Sequence, residues 1–503
     1  MLDLKRASGL LRRRGAALLV LLLLASGVAL YFGGLRHNPP GFHLDESSIA
    51  YNAHTISQTG RDEHGVAWPL YFRAFGEFKN PVYVYLLAAV FRLTGPGILS
   101  ARSLSATAGL ATAALLGLLA ARSTRSRAAG LFVAASALLT PWLFELSRVV
   151  LEVSLYPLAL ALFLLCLHAA AQKEKWSWRD AVCIAATLAL LTYTYSIGRL
   201  LAPLLAFGLL MFVRRAGWRS VLSAWALYAL ALAPLAVFGL RHPGALTARF
   251  SLITYLTPQS TAGDAALGFL RHYAANVNPW RLVVAGDPNY DQMAHLLGAE
   301  LMLAATALLS AVGVWLVLRR RRPGAWWGFV LYGLAVSIIP ASLTDEPFHM
   351  LHLAPVPVFL LVLTMPALAW LCDSTARRRR ALLIVFAAAT LLQGASFQWR
   401  YAAGATSPRR LHLFDAAYAR DILPAALNAD SRPVYISDAP AIPGYIQAYW
   451  HATLQGLPVS TFVRMRVEDE PPPGAPVITT KDACAHCRVV AQNPPYTVYT
   501  AGP

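Results

Sequence analysis

GFHLDESSIAYNAHTISQTGRDEHGVAWPLYFRAFGEFKNP, Gly41 to Pro81, is the stretch from which the rest of the chain is read. It follows a hydrophobic N-terminal segment and is richer in ionisable residues than the apolar runs around it. In HLDESSIAYNA the adjacent carboxylates of Asp45 and Glu46 precede Ile49, Ala50 and Ala53. At about 3.6 residues per turn, the two acids open a short amphipathic helix. Near the positive end of a helix a carboxylate stays ionised and able to accept a proton. Further on, EFKNP sets Glu77 and Lys79 just before Pro81, a residue suited to the first turn of a new helix. Acids followed by a cation, all at the mouths of apolar helices, suit a lipid-linked anion. The plainer alternative is that Asp45 caps a surface helix while Lys79 reaches to lipid headgroups.

Composition sets the class of protein. The chain has 503 residues, of which 57% are hydrophobic and 14% charged, and its mean hydropathy is +0.50. Apolar runs repeatedly approach bilayer-spanning length, so the fold expected is a polytopic α-helical membrane protein. The net charge of +18 lies in short clusters between those runs, as the positive-inside rule requires, and this argues against nucleic acid as a partner. Five cysteines are too few for a disulfide framework, and Cys166, Cys183 and Cys372 lie in or beside apolar segments.

The basic clusters order the spans. Lys5, Arg6 and Arg12 to Arg14 precede the run Ala16 to Phe32, which reads as an uncleaved first span with a cytoplasmic N-terminus. Residues 33–100 then form a first outer loop. Within it, Val82 to Leu93 falls short of a core roughly 30 Å thick and is expected to lie at the surface or re-enter. Taking Ala101 to Ala120 as the second span puts Arg122, Arg125 and Arg127 inside, and the later clusters follow suit: Lys173 and Lys175, Arg214 and Arg215, Arg319 to Arg322, and Arg377 to Arg380. About eleven transmembrane helices result, over residues 1–398. Residues 399–503 change to an α/β pattern and are expected to form a small extracytoplasmic domain. Helices are expected near Leu411 to Asn428 and Tyr445 to Leu454, and strands at Val434 to Ser437, Val459 to Val467 and Val477 to Thr480. Cys484 and Cys487 are read as a local disulfide, with a metal site or free thiols as the alternatives.

On this topology the unusual polar residues gather on the outer face. FELSRVVLEVS holds Arg148 and Glu152 four apart, hence on one helix face; YTYSIGRL holds Tyr195 and Arg199 at a tight turn. Asp287 lies in GDPNYD, and Asp345, Glu346, His349 and His352 lie in SLTDEPFHMLH. Each has a structural alternative: an ion pair for Arg148 and Glu152, a turn for Asp287, an interfacial anchor for Arg199. Asp345, His349 and His352 have the residue types of a metal site, but the spacing is unspecific and none is assigned. The middles of the spans hold almost no ionisable residues, whereas a proton-driven transporter is expected to keep some there.

These ordered motifs carry a resemblance. HLDESSIAYNA, GRDEHGVAWPLYFRAFGEFKNPVYVYLLA, PWLFELSRVVLEVS, YTYSIGRL, GDPNY and IPASLTDEPFHMLHL follow one another as in the GT-C membrane glycosyltransferases. The chain resembles glycosyltransferase family 39 and its neighbours, in particular bacterial relatives of the dolichyl-phosphate-mannose-protein mannosyltransferases and of the aminoarabinose transferases that modify lipid A. The resemblance spans roughly residues 10 to 400. It departs at Lys79-Asn80-Pro81, where many relatives read K-P-P, and at His352, where many have arginine.

The resemblance implies an enzyme of the inner (cytoplasmic) membrane that moves a hexose or pentose from a polyprenyl-phosphate sugar to an acceptor hydroxyl of a protein, lipid or glycan. Asp45 is then the catalytic acid of the DE pair, with Glu46 beside it, and Lys79 is the lysine before the proline. The chemistry fits: a base takes the hydroxyl proton on one face of an oxocarbenium-like centre while phosphate leaves from the other, inverting the anomeric carbon. A phosphate leaving group needs cations and no proton donor, so Lys79, Arg148 and Arg199 are the donor-binding candidates, and Glu152, Tyr195, Asp287, Asp345 and His349 would orient the sugar or those cations. No cofactor is expected, and a divalent metal is not obviously required. The alternative function is a lipid-linked glycan flippase or another polytopic transporter.

Overall fold

The computed structural model describes residues 2–320, 324–373, 376–428, 432–439, 442–466, 469–481 and 487–502, with the side chains of residues 2–14 and 16 left out. Helix α1 (Leu2–Phe32) is followed in the first loop by α2 (Leu44–Thr59), a hairpin of β1 (Phe72–Ala74) and β2 (Glu77–Lys79), and α3 (Pro81–Thr94); α4 (Ile98–Thr124) then starts the main bundle. Helical segments follow at each run read as a span, from Arg127–Leu139 to Arg377–Ala403.

Among the described residues five helices are long and apolar enough to cross a membrane. One other apolar run is divided near proline. Val356–Leu363 and Met365–Cys372 each begin with proline in the first turn, where the missing N–H costs no helical bond. In Glu152–Ala171, 72% of the apolar window is buried, against 17% in Trp218–Arg241 and Arg377–Thr406, so the first lies central and the other two peripheral. Small residues bring α4 against Arg127–Leu139: a Cβ on Gly117 would stand 2.9 Å from the carbonyl of Gly130, and the converse holds for Gly130.

Helix α3, at 14 residues, reaches only about 21 Å at 1.5 Å per residue. It packs on α2 through Ile49, Ala53, Tyr83, Leu87 and Phe91, in an apolar cluster that Ala101 and Ala108 of α4 and Trp450 also join. Topology is directly testable. Reporter fusions at Arg125, Lys175, Arg215 and Arg379 should read as cytoplasmic, and fusions at Gly60 and Gly286 and beyond Trp399 as external; an external signal at Arg125 would overturn the short-helix reading of α3. Arg321 and Arg322, part of the same pattern, lie outside the described residues.

The helix Arg377–Ala403 carries the chain past residue 398 into the C-terminal part. There the expected helix near Leu411 to Asn428 is three short pieces, Pro408–Leu413, a π-turn at Tyr418–Ile422 and Leu423–Leu427. Strand β3 (Val434–Ser437) and the helix Tyr445–Gln455 fall where the sequence placed them. The strand expected at Val459 to Val467 shrinks to β4 (Phe462–Arg464), and β5 (Pro476–Thr479) precedes a hairpin of β6 (Arg488–Asn493) and β7 (Tyr496–Thr500) that had no expectation. The sheet runs β4-β3-β5-β7-β6, parallel across β4, β3 and β5 and antiparallel beyond. Cys487 is disulfide-bonded, while Cys484, the partner expected, lies outside the described residues.

Helix α2 is buried on most sides rather than along one amphipathic stripe. The reason is the helix Tyr445–Gln455, which covers what would be its outward face: Phe42 stacks on Trp450 and Tyr51 packs on Tyr449. The entry to α2 is equally tight. Gly41 has φ +70°, and a Cβ there would stand 2.1 Å from the carbonyl oxygen of Phe414, so only glycine fits.

Candidate active site

The first turn of α2 is closed by a capping box. The backbone N–H of Asp45 donates to His43 Nδ1 (3.1 Å), and that of His43 donates to Glu46 Oε2 (3.0 Å). Successive helical residues point about 100° apart, so the two adjacent acids part company. Glu46 faces inward and is fully buried. Its oxygens accept from Arg102 Nε (3.1 Å) and Nη2 (3.0 Å) and from the backbone N–H of Val150 (2.9 Å). Arg102 in turn donates to the carbonyls of Pro39 (2.7 Å) and Gly41 (2.9 Å). The carboxylate paired with Asp45 in the sequence therefore holds the loop together and offers no free oxygen to a substrate.

Asp45 faces the other way. Lys79, at the end of β2, donates its Nζ to Asp45 Oδ1 at 2.7 Å, and the lysine is 5% exposed while the aspartate side chain is 35% exposed. Burial by itself would raise the Asp45 carboxyl, but Lys79, His43 and Arg249 together hold it below the ordinary carboxylate range. Burial would likewise lower Lys79, and Asp45, Glu77 and Glu152 hold it above its usual value. The pair is a carboxylate and an ammonium, with the carboxylate open to the exterior.

Around the pair stand residues brought from distant segments. Glu152 accepts from both the backbone N–H and the side-chain amide of Asn80. Arg199 donates to Asn80 Oδ1 (3.1 Å) and to the carbonyl of Leu246 (2.6 Å), and its guanidinium lies over the Tyr71 ring. Arg249, on the short helix Ala248–Ile253, reaches Glu77 at 3.3 Å, and Glu77 is 3.9 Å from Lys79. Arg199, Arg249 and His352 line one cavity of about 330 Å³ whose other walls include Leu200, Leu246 and Phe250. This groove sets two arginines in a largely apolar lining, a combination suited to a phosphate with a hydrocarbon tail.

The remaining candidates divide. Tyr195 stacks on His352, and His352 on His349 (ring centroids 4.2 Å apart). Burial, followed by nearby Arg249, pushes His349 down to about 4, and burial, followed by His349 and Arg249, lowers His352 as well. Asp287 lies elsewhere as a loop tie, accepting from the backbone N–H groups of Asn289 (2.9 Å) and Met350 (2.8 Å). Asp345 is exposed, and its backbone N–H donates to Ile253.

Arg148 is not in the groove. Its guanidinium donates to the carbonyls of Tyr31, Gly33 and Asn38 and lies over Phe144 and Tyr401, pinning the end of α1. The helix face it was expected to share with Glu152 does not form. After Pro141–Leu146 the chain extends at Leu151, and helix resumes only at Glu152. The N–H of Val150, freed by that extension, is the one bound by Glu46. Arg249, Asn80 and Arg102 were not anticipated: Arg249 sits in a stretch of sequence without a periodic pattern, and the other two gain meaning only through partners far away in sequence.

Comparison with known proteins bears on the fold. Residues 79–240 match the family model described as dolichyl-phosphate-mannose-protein mannosyltransferase. No curated protein matches the chain. Among solved structures, ArnT from Cupriavidus metallidurans bound to undecaprenyl phosphate aligns with a TM-score of 0.59 at 14% identity, over 96% of this chain and 99% of that one. Its apo form gives 0.61 at 15%, over 97% and 100%. The chain has the GT-C fold. The archaeal oligosaccharyltransferase AglB from Archaeoglobus fulgidus, solved with an inhibitory peptide and a dolichol-phosphate, aligns at 0.53 and 14% identity over 88% of this chain and 64% of its own. The likeness in fold covers 96–97% of the chain, further than the roughly residues 10 to 400 over which the motifs carried the resemblance.

Proposed function

We propose that this GT-C chain transfers a sugar from a polyprenyl-phosphate donor to an acceptor hydroxyl at the outer face of the membrane, by a single inverting displacement. The observation that carries it is the Asp45–Lys79 pair at 2.7 Å, set beside the groove of Arg199 and Arg249. The donor's phosphate lies against Lys79, Arg199 and Arg249 with its chain along the apolar wall, and Asp45 takes the acceptor's proton as the phosphate leaves. Lys79 links the two tasks. In the resting site it holds Asp45 ionised and weakly basic; once it turns to the phosphate, the hold on Asp45 relaxes and the carboxylate becomes a better base. Three cations supply the charge a monophosphate needs, so the reading assigns no cofactor and no metal. The acceptor, whether protein, lipid or glycan, approaches from the exposed side of Asp45, and the enzyme is placed in the inner membrane with its C-terminal part outside.

Donor binding tests the reading. Lys79→Ala should weaken binding of a synthetic polyprenyl-phosphate sugar at least about tenfold, the effect of losing one charge-assisted contact, in purified protein that elutes and melts as a folded species. Unchanged affinity would remove Lys79 from the phosphate site. Little midplane charge and no evident internal repeat leave the flippase reading without a specific observation in its favour.

A further inference from the structure

Gln447 lies on the helix Tyr445–Gln455, 400 residues beyond Ser47 of α2, and is fully buried. Its Oε1 accepts from Ser47 Oγ (2.8 Å), and its Nε2 donates to the carbonyl of Phe42 (2.7 Å) and to Asp415 Oδ2 (2.7 Å). Phe42 and Ser47 bracket His43, Leu44, Asp45 and Glu46, so one amide grips both ends of the capping turn that aims Asp45. Asp415 steadies the amide and also accepts from Tyr496 Oη (3.1 Å) on β7. The backbone N–H of Phe42 donates to Phe414 beside it (2.7 Å), and the Phe42 ring stacks on Trp450. All three of these attachments come from the C-terminal part of the chain.

Resting on the reading of Asp45 as the base, we propose that Gln447, steadied by Asp415, is a positioning residue for transfer: the C-terminal part sets the aim of the catalytic helix and is not only a cover or an acceptor-binding accessory. The donor groove is built from other segments, those around Arg199, Arg249 and His352. Loss of the grip should therefore misplace Asp45 and leave donor binding alone. A displacement of about 1 Å at a reacting group costs on the order of a hundredfold in rate. The Asp415 carboxyl fits an anchoring role. Burial pushes it up to about 7 despite the bonds from Gln447 and Tyr496, and its task here is to accept hydrogen bonds, which an asparagine oxygen does equally well.

The test is steady-state transfer by the full-length chain in lipid nanodiscs, with a synthetic polyprenyl-phosphate sugar varied at fixed acceptor. Gln447→Ala should lower kcat about ten- to a hundredfold with KM for the donor within about twofold. Asp415→Asn should stay within about threefold of wild type while Asp415→Ala follows Gln447→Ala, a rescue that a mere packing role would not produce. Ser47→Ala, which removes one of the three bonds, should lower kcat less, and it decides the matter with Asp415→Ala should Gln447→Ala fail to fold. Wild-type kcat in these variants, a rise in donor KM in place of a fall in kcat, or equal damage from Asp415→Asn and Asp415→Ala would overturn the proposal. A wild-type chain that transfers no sugar would instead overturn the functional reading, and this inference with it.

Discussion

Asp45→Asn should retain expression, thermal stability and donor affinity while single-turnover transfer falls by at least about a hundredfold. The substitution keeps the side-chain size and an oxygen for Lys79, which now donates to Asp45 Oδ1 at 2.7 Å. It also spares the cap of α2, because the side chain that accepts there belongs to His43 and the bond uses the backbone N–H of residue 45. What disappears is the capacity to take a proton, commonly worth about 10² to 10⁴ in rate. The readout is transfer from a synthetic polyprenyl-phosphate sugar, with the anomeric configuration of the product determined alongside. Near-normal turnover would move the base elsewhere, with Glu77 and Glu152 as the other carboxylates around Lys79; Glu46 has its oxygens occupied by Arg102, Val150 and His43. A retained configuration would rule out single displacement.

Arg102→Ala should be among the most destabilising single changes in the chain. It deletes two bonds to Glu46 and those to the carbonyls of Pro39 and Gly41, and it strands a carboxylate with no exposure to water. Breaking a buried pair from one side commonly costs about 3–5 kcal/mol, more than half of the stability of many proteins. Monodisperse protein remaining after heating should fall accordingly. The double variant with Glu46→Gln should recover part of the loss, since the stranded charge is then gone while the single amide oxygen still accepts from one of the two N–H groups, Val150 or His43, that bind separate carboxylate oxygens. An unchanged melting point for Arg102→Ala would show that the pair contributes little to holding the first loop.

These two residues mark how far the sequence could be read. Apolar run lengths and basic clusters located the helical segments, and adjacent acids ahead of apolar residues at helical spacing located the start of α2, because such signals act within a few residues. The task of Glu46 was hidden. Its direction follows from helix geometry, but its partner lies 56 residues away on α4. Spacing misled at Arg148 and Glu152, where an i, i+4 pattern presumes a continuous helix and the chain straightens instead to bring the Val150 N–H to Glu46. Arg249 had no local pattern to reveal it and gains a role only where the groove assembles. In the C-terminal part, β3 and the helix Tyr445–Gln455 were legible from apolar patterning, whereas the hairpin of β6 and β7 was not: Val489 and Val490 on β6 are exposed, so no clean alternation marks it.

Tyr51 of α2 belongs to the same apolar cluster as Tyr418, Ile436, Ile446 and Val498, so a side chain from the beginning of the polypeptide completes the core beneath the final sheet. That bears on how chains of this fold can be recombined. A hybrid built by exchanging everything after the long helix Arg377–Ala403 between two of these proteins would set one parent's Gly41–Thr59 against the other's Tyr445–Gln455, with mismatched rings and an unanswered amide at the seam. The natural unit of exchange is discontinuous: the first-loop helix has to travel with the tail, and crossover points chosen from the linear order alone would cut through it.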